Sequence, residues 1–303
     1  MENNTQISDQ YDDEIDLREL FVVLWAGKTK IIAITAVFAV VSVIYALSVP
    51  NQYKATALLA PAQQDSGGIS GALGQLGGLA SLAGVSIGGG GSSESKIAQE
   101  IMKSWSFIES FIEENDLAVE LSAVAGWDIE SNELSFNENV YDVENNRWLV
   151  QKPSSWTLFT SFSNLLSIGE PGVSGLLSVS IEYYSPYLAK QWLDLYISAI
   201  NKHMQARQVT KVSNNIEYLE AQIEKTSITE MQEVFYTIIE EQIKSQMLAE
   251  ASPDYAFVAV SPSMVPEEKS QPKRALICIL GTLLGGMLSV LIVLVMHYAR
   301  KSD

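Results

Sequence analysis

At 303 residues the chain is long enough for one large domain or two smaller ones, and 36 acidic against 19 basic residues, a formal net charge of −17, argue against a nucleic-acid partner. A hydrophobic fraction of 47% is high for so acidic a chain. Its single cysteine, Cys278, excludes an intrachain disulfide framework, so any exported part must hold together by packing alone.

Two segments hold the apolar excess. Residues 31–49 carry no charge, and residues 275–298 contain only Cys278, His297 and Tyr298 as ionisable groups. At 1.5 Å per helical residue these span about 28 and 36 Å, against a hydrocarbon core of about 30 Å. A cleavable signal peptide opens with a short basic region, whereas a mostly acidic stretch precedes the first apolar run here, so it reads as an uncleaved anchor. Arg18, Lys28 and Lys30 before that run, against Lys54 after it, place the amino terminus in the cytoplasm. Lys269, Lys273 and Arg274, set against Arg300 and Lys301, point the other way around the second run. Long translocated loops largely escape the rule, so the first run decides and both termini are expected to be cytoplasmic.

Residues 1–30 form the cytoplasmic lead-in, where Ile15, Leu17, Leu20, Phe21 and Leu24 make a helical stripe and Trp25 suits headgroup depth. After the first span, "YKATALLAP" predicts a strand ended by Pro61. Residues 64–92 are rich in Gly, Ser, Ala and Leu. No Gly-Lys-Ser/Thr follows, which removes a phosphate loop and leaves a flexible loop or a segment that packs on a neighbour or on lipid. From Ser93, read as an N-cap, Ile97, Ile101, Trp105, Ile108 and Ile112 predict one amphipathic helix. "WDIESNELSFNENVYDVENNRW" reads as irregular and "SWTLFTSFSNLL" as a second short helix. "LLSIGEPGVSGLLSVSIEYYSP" predicts a β-hairpin turning at Pro171 and Gly172, with Leu177, Val179, Ile181 and Tyr183 alternating.

Pro186 with Ser185 before it marks a helix start, and residues 187–252 contain no Gly or Pro. Ser227 and Glu230 form a capping-box pattern, which predicts a helical hairpin turning near residues 226–229. "DYAFVAVSP" then returns as a strand, and Pro262, Pro266 and Pro272 set an extended connector to the second span. The fold class expected is an α+β membrane protein with two transmembrane helices flanking an α/β base and a long helical-hairpin extension. The base takes residues 50–185 and 253–274, the arm 186–252, and the tail 299–303.

Nothing in the sequence assembles a catalytic constellation. His203 stands alone in a polar stretch, no metal-ligand spacing or nucleophile elbow occurs, and the acidic pairs read as solvated helix faces. No enzyme activity, cofactor or metal is expected. Lys202, Arg207 and Lys211 offer a contact for a phosphate-bearing glycolipid, a glycan or a neighbouring subunit, the plainer reading being a solvated stretch. Gly281-x-x-x-Gly285, extended by Gly286 and Ser289, is the small-residue spacing that lets helices approach closely in lipid. Lys273 and Arg274 belong just outside it, near headgroups.

Taken together, "IDLRELFVVLW", "NQYKATALLAP", "IAQEIMKSWSFIESFIEEN", "LLSVSIEYYSPYLAKQWLDLYISAIN", "DYAFVAVSPSMVPEEKSQPKR" and "ALICILGTLLGG" resemble the polysaccharide co-polymerase family, the Wzz-type chain-length determinants of bacterial lipopolysaccharide O-antigen. The resemblance covers nearly the whole chain. It implies an inner-membrane protein with a periplasmic base and a coiled-coil-like arm. It also implies an octamer-like homo-oligomeric ring without a catalytic site. Such a ring acts with the O-antigen polymerase on undecaprenyl-linked polysaccharide, with polymerase contact expected at the face bearing Gly281, Gly285 and Gly286. A role in export of capsule or exopolysaccharide is the alternative. The kinase-bearing branch of the family is disfavoured, because no phosphate-binding loop occurs. Two departures stand out: the Gly-rich stretch is longer than in enteric members, and the arm is compact.

Overall fold

The computed structural model describes residues 17–62, 90–170 and 175–302. It is α+β, in two compact units. One unit contains α1 (Leu17–Ala26), α2 (Lys28–Ser48) and α9 (Arg274–Ser302). The other is Asn51–Ser270 and is called the body here.

The body is built on β1 (Gln52–Pro61), the strand expected from "YKATALLAP", and its residues alternate. Tyr53, Ala55, Ala57 and Leu59 are buried, whereas Lys54 and Thr56 are exposed. β6 (Leu166–Gly169) and β7 (Leu177–Tyr183) form the antiparallel hairpin, and β7 pairs with β1 so that Ala55 lies opposite Ile181 and Ala57 opposite Val179. β8 (Phe257–Ser261) adds to the other edge of β1, giving the order β6-β7-β1-β8, and β9 (Lys269–Gln271) also pairs with β1. The turn expected at Pro171 and Gly172, most of the Gly-rich stretch and Ile15 lie outside the described residues.

Ala55 and Ala57 of β1 and Ile181 and Val179 of β7 are buried side by side on one face of the sheet. α7 (Pro186–Lys225) packs there through Ala189, Trp192, Leu193, Tyr196 and Ile200, all buried. Each such large apolar side chain contributes roughly 1.5–3 kcal/mol by leaving water. Tyr196 is the hub: its ring centroid lies 5.4 Å from Phe107, 4.9 Å from Phe111 and 5.4 Å from Phe162, and its hydroxyl donates to the Met102 carbonyl. Burial pushes the Tyr196 phenol far above its ordinary range. At the start of α7, Pro186 occupies the first turn and Ser185 Oγ accepts from Leu188 N, as expected.

Four local expectations need correction. The single helix read from Ser93 is two, α3 (Gly90–Lys103) and α4 (Trp105–Glu114), and the first begins inside the Gly-rich stretch, so Ser93 is within it. Ser104 makes the break: its hydroxyl donates to Ile101 O and accepts from Phe107 N, ending one helix and capping the next. After α5 (Ala118–Ser122), the segment read as irregular holds two small antiparallel ribbons, β2 (Val124–Trp127) with β3 (Leu134–Phe136), and β4 (Tyr141–Asp142) with β5 (Arg147–Trp148). α6 (Ser155–Leu165) then matches the second short helix. The long element does turn into a hairpin, but α8 (Thr229–Ala251) has Ile228 at its N-cap position and no side-chain cap. Gln232 replaces the expected Ser227–Glu230 box, its amide donating to Ile223 O at 3.3 Å and Thr226 O at 2.8 Å.

Candidate functional site

The small-residue run of α9 meets α2 of the same chain. A methyl added at Gly281 would stand 2.5 Å from Ser42 Cβ, and one at Gly285 would stand 2.4 Å from Phe38 Cβ, well inside contact distance. One turn further, Ser289 is fully buried, its hydroxyl 3.4 Å from Thr35 Oγ1 and donating to Gly286 O at 2.7 Å. Val293 closes the row, and a methyl on Gly27 would come 2.5 Å from its Cγ1. The seam thus repeats every four residues on α9, the spacing at which backbones approach most closely. Gly286 stands off it, with Thr35 Oγ1 4.0 Å from an added methyl. Close approach here is an intrachain matter: Gly281, Gly285 and Ser289 face α2, whereas Gly286 stands at the margin of that contact.

Only 11% and 17% of the apolar windows of α2 and α9 are buried. The core helix of a soluble protein is mostly covered; these two expose Ile32, Val40, Ile44, Leu284, Met287 and Leu291 and pack only along the seam. At the end of α2, Ala46 O accepts from Arg274 Nε at 3.2 Å, which satisfies one of the carbonyls a helix end leaves open. In α1, Trp25 is exposed and Lys28 Nζ lies 4.6 Å from its ring centroid.

The connector is extended. Pro262 is exposed, Pro266 half-buried, Pro272 buried and Lys273 exposed. Ser263 within it is buried and donates to the Asp194 carboxylate, which also pairs with Lys190 at 2.6 Å. On α7, Lys202, Arg207 and Lys211 are all exposed. At 3.6 residues per turn Arg207 and Lys211 share a face, whereas Lys202 lies about 140° and 180° around the helix from them. The helix therefore does not gather the three into one cationic patch. His203 is exposed and sets its ring edge-on to Phe107 at 5.4 Å.

Sequence reasoning missed the counter-surface of the seam and a pair of polar clamps. Ser42 and Ala46 are a small-residue pair four apart on α2, a signal of the same kind as the one on α9. Asn201 and Gln205, four apart on α7, are internal amides in a run of helix formers. Their hydrogen bonds to the backbone of residues 249–257 become visible only once the chain has turned back on itself.

Residues 13–115 match the family model described as the Wzz chain length determinant protein. No curated protein matches the chain. Among solved structures, a full-length bacterial polysaccharide co-polymerase is 17% identical, with 96% of this chain and 99% of that one covered at a TM-score of 0.40. A fragment of WzzB from Salmonella Typhimurium is 12% identical over 73% of this chain and 100% of its own, at a TM-score of 0.31. A mutant of the Shigella flexneri lipopolysaccharide O-antigen chain-length regulator is 12% identical over 72% and 100%, at 0.24. Residues 13–115, which run from the lead-in across the first apolar helix and β1 to the end of α4, are thus similar to the Wzz chain length determinant proteins.

Proposed function

We propose that this chain sets the length distribution of lipopolysaccharide O-antigen, as a non-enzymatic homo-oligomeric partner of the O-antigen polymerase in the bacterial inner membrane. The observation that carries the reading is the match of residues 13–115 to a chain length determinant family. Two lipid-suited helices at either end of one large body support the membrane setting. In this reading both termini are cytoplasmic, the body is periplasmic, and the growing undecaprenyl-linked polysaccharide passes the oligomer.

Because α2 already fills the seam, the polymerase meets the outer faces of the span pair, with Gly286 at their margin. Arg207 and Lys211, on one face of α7, are the pair available to a glycan or a neighbouring subunit, and Lys202 acts separately. Lys273, with Pro262, Pro266 and Pro272 before it, serves the headgroup region.

The test is to delete the gene, restore it on a plasmid and run the lipopolysaccharide on a silver-stained gel. A clustered ladder that decays monotonically without the gene and recovers with it is the expected result. An intact ladder sinks the O-antigen reading; loss of surface capsule or exopolysaccharide in the same strain then assigns the chain to export of those polymers.

A further inference from the structure

One cleft of the body belongs to none of the surfaces above. It has a volume of about 760 Å³ and lies between α4, the residues that follow it, the β4–β5 ribbon and the start of α6. Its floor is apolar, formed by the buried side chains of Ile112 and Leu158. One wall is the aromatic pair Tyr141 and Trp148, opposite each other across the ribbon with ring centroids 5.1 Å apart.

Core formation does not account for the ribbon. Tyr141 is its only buried residue, whereas Val143 beside it is 55% exposed. Even so the ribbon is tightly held. The Asp142 carboxylate accepts from Asn145 N and Asn145 Nδ2, which keeps its acid below the ordinary range, and Tyr141 Oη donates to Asn146 Oδ1. Asn146 adopts a φ of 52°, the left-handed conformation such a turn needs. These bonds fix Trp148, half-buried, as a wall of the cleft.

Around the aromatic wall stand Glu109, Glu113, Asp116 and Glu120, against the single ammonium of Lys152. Glu120 Oε2 is buried without a hydrogen-bond partner. An aromatic face suits the C–H face of a sugar ring, and carboxylates and an amide suit its hydroxyls, as polar groups that orient a ligand in an otherwise apolar cleft do. Four carboxylates to one ammonium repel an anionic polymer.

We propose that this cleft binds a short stretch of uncharged or amine-bearing sugars and rejects uronic-acid polymers. The assignment rests on the polysaccharide role given above and names the sugar class it takes. The probes are chitotriose and trigalacturonic acid, offered to the full-length protein in nanodiscs and followed by saturation-transfer difference NMR.

Saturation transfer to chitotriose and none to trigalacturonate is expected, with the chitotriose signal lost in Trp148→Ala. Glu113 and Asp116 are exposed, and Asp116 holds a φ of 53° that Asn also accepts, so Glu113→Lys with Asp116→Asn leaves the fold intact and is expected to admit trigalacturonate. No transfer to chitotriose, equal transfer to both probes, or a signal that survives Trp148→Ala overturns the proposal. If Trp148→Ala does not fold, an unchanged preference in the double variant overturns it instead. The two readings fail separately: a ladder that responds to gene deletion while the wild-type protein ignores chitotriose removes the cleft assignment alone. An intact ladder removes the O-antigen role and leaves the probe result standing.

Discussion

Asn201 is the residue on which the return of the chain depends. It is 1% exposed, and its side chain does what a neighbouring strand would do: Oδ1 accepts from Ala256 N and Phe257 N, both at 2.9 Å, and Nδ2 donates to Phe257 O at 2.9 Å. One turn along α7, Gln205 Nε2 donates to Ala249 O at 2.8 Å, closing the end of α8. Together they hold the point where the hairpin re-enters the sheet. Asn201→Ala leaves three buried backbone groups unpaired, which costs about 1 kcal/mol each and roughly 3 kcal/mol in all. In a body of this size that lowers the melting temperature by about 6–12 °C. Asn201→Asp keeps the two accepted bonds but sets a buried carboxylate oxygen against Phe257 O, so it is expected to cost at least as much as Asn201→Ala. Thermal melts of the detergent-solubilised protein, followed by near-ultraviolet circular dichroism, check this; a shift of under about 2 °C would mean that the clamp is dispensable.

Among the elements, the span pair makes the most specific structural claim. If α2 and α9 of one chain form the seam, Thr35→Cys with Ser289→Cys, in a Cys278→Ser background, oxidises within the monomer, because the native hydroxyls stand 3.4 Å apart. Thiol counting should show both sulfurs consumed with no dimer band on a non-reducing gel. A dimer band would mean instead that the seam joins two chains. The small-residue run on α9 was legible in the sequence because glycine spacing is a local signal. Its partner was not, because Thr35, Phe38 and Ser42 are ordinary residues for a membrane helix, and their role depends on which helix lies beside them. The same division holds in the body. Alternation in β7 and the Pro186 start could be read directly, since period and cap are local properties. The Ser104 break hides inside an unbroken apolar stripe, of which Ile97 and Trp105 are exposed, because the buried face shifts from Ala98 and Met102 to Phe107, Ile108, Phe111 and Ile112 across it. The ribbons were missed for lack of length: strands of two to four residues give alternation too little room to show. The cleft they wall was therefore invisible too, its lining drawn from distant stretches of chain.

For the molecule as a whole, the arm divides into a rooted and a free half. Up to Met204, α7 lies in the core; beyond it, α7 pairs only with α8, and the described arm buries just Val212 and Ile239 before Ala249 returns to the body. Large apolar residues at the far end, among them Tyr218, Val234 and Tyr236, remain exposed. Gln208 Nε2 and Ser245 Oγ lie 3.5 Å apart, so a three-residue Gly-Ser-Gly link, which reaches about 13 Å, can replace residues 209–244. What is lost is the burial of two side chains, roughly 1.5–3 kcal/mol each, set against the ordering cost of the segment removed, which is at least as large. The shortened protein should therefore keep its near-ultraviolet circular dichroism and melt within about 3 °C of the full chain, since the sheet, the Tyr196 hub and both amide clamps are untouched. In the complemented deletion strain it should nevertheless fail to restore a clustered ladder, because the free half of the arm is gone. A body that no longer folds would show that the free half supports the rooted one. A restored ladder would place length control in the body and the spans, and would remove the arm from the mechanism.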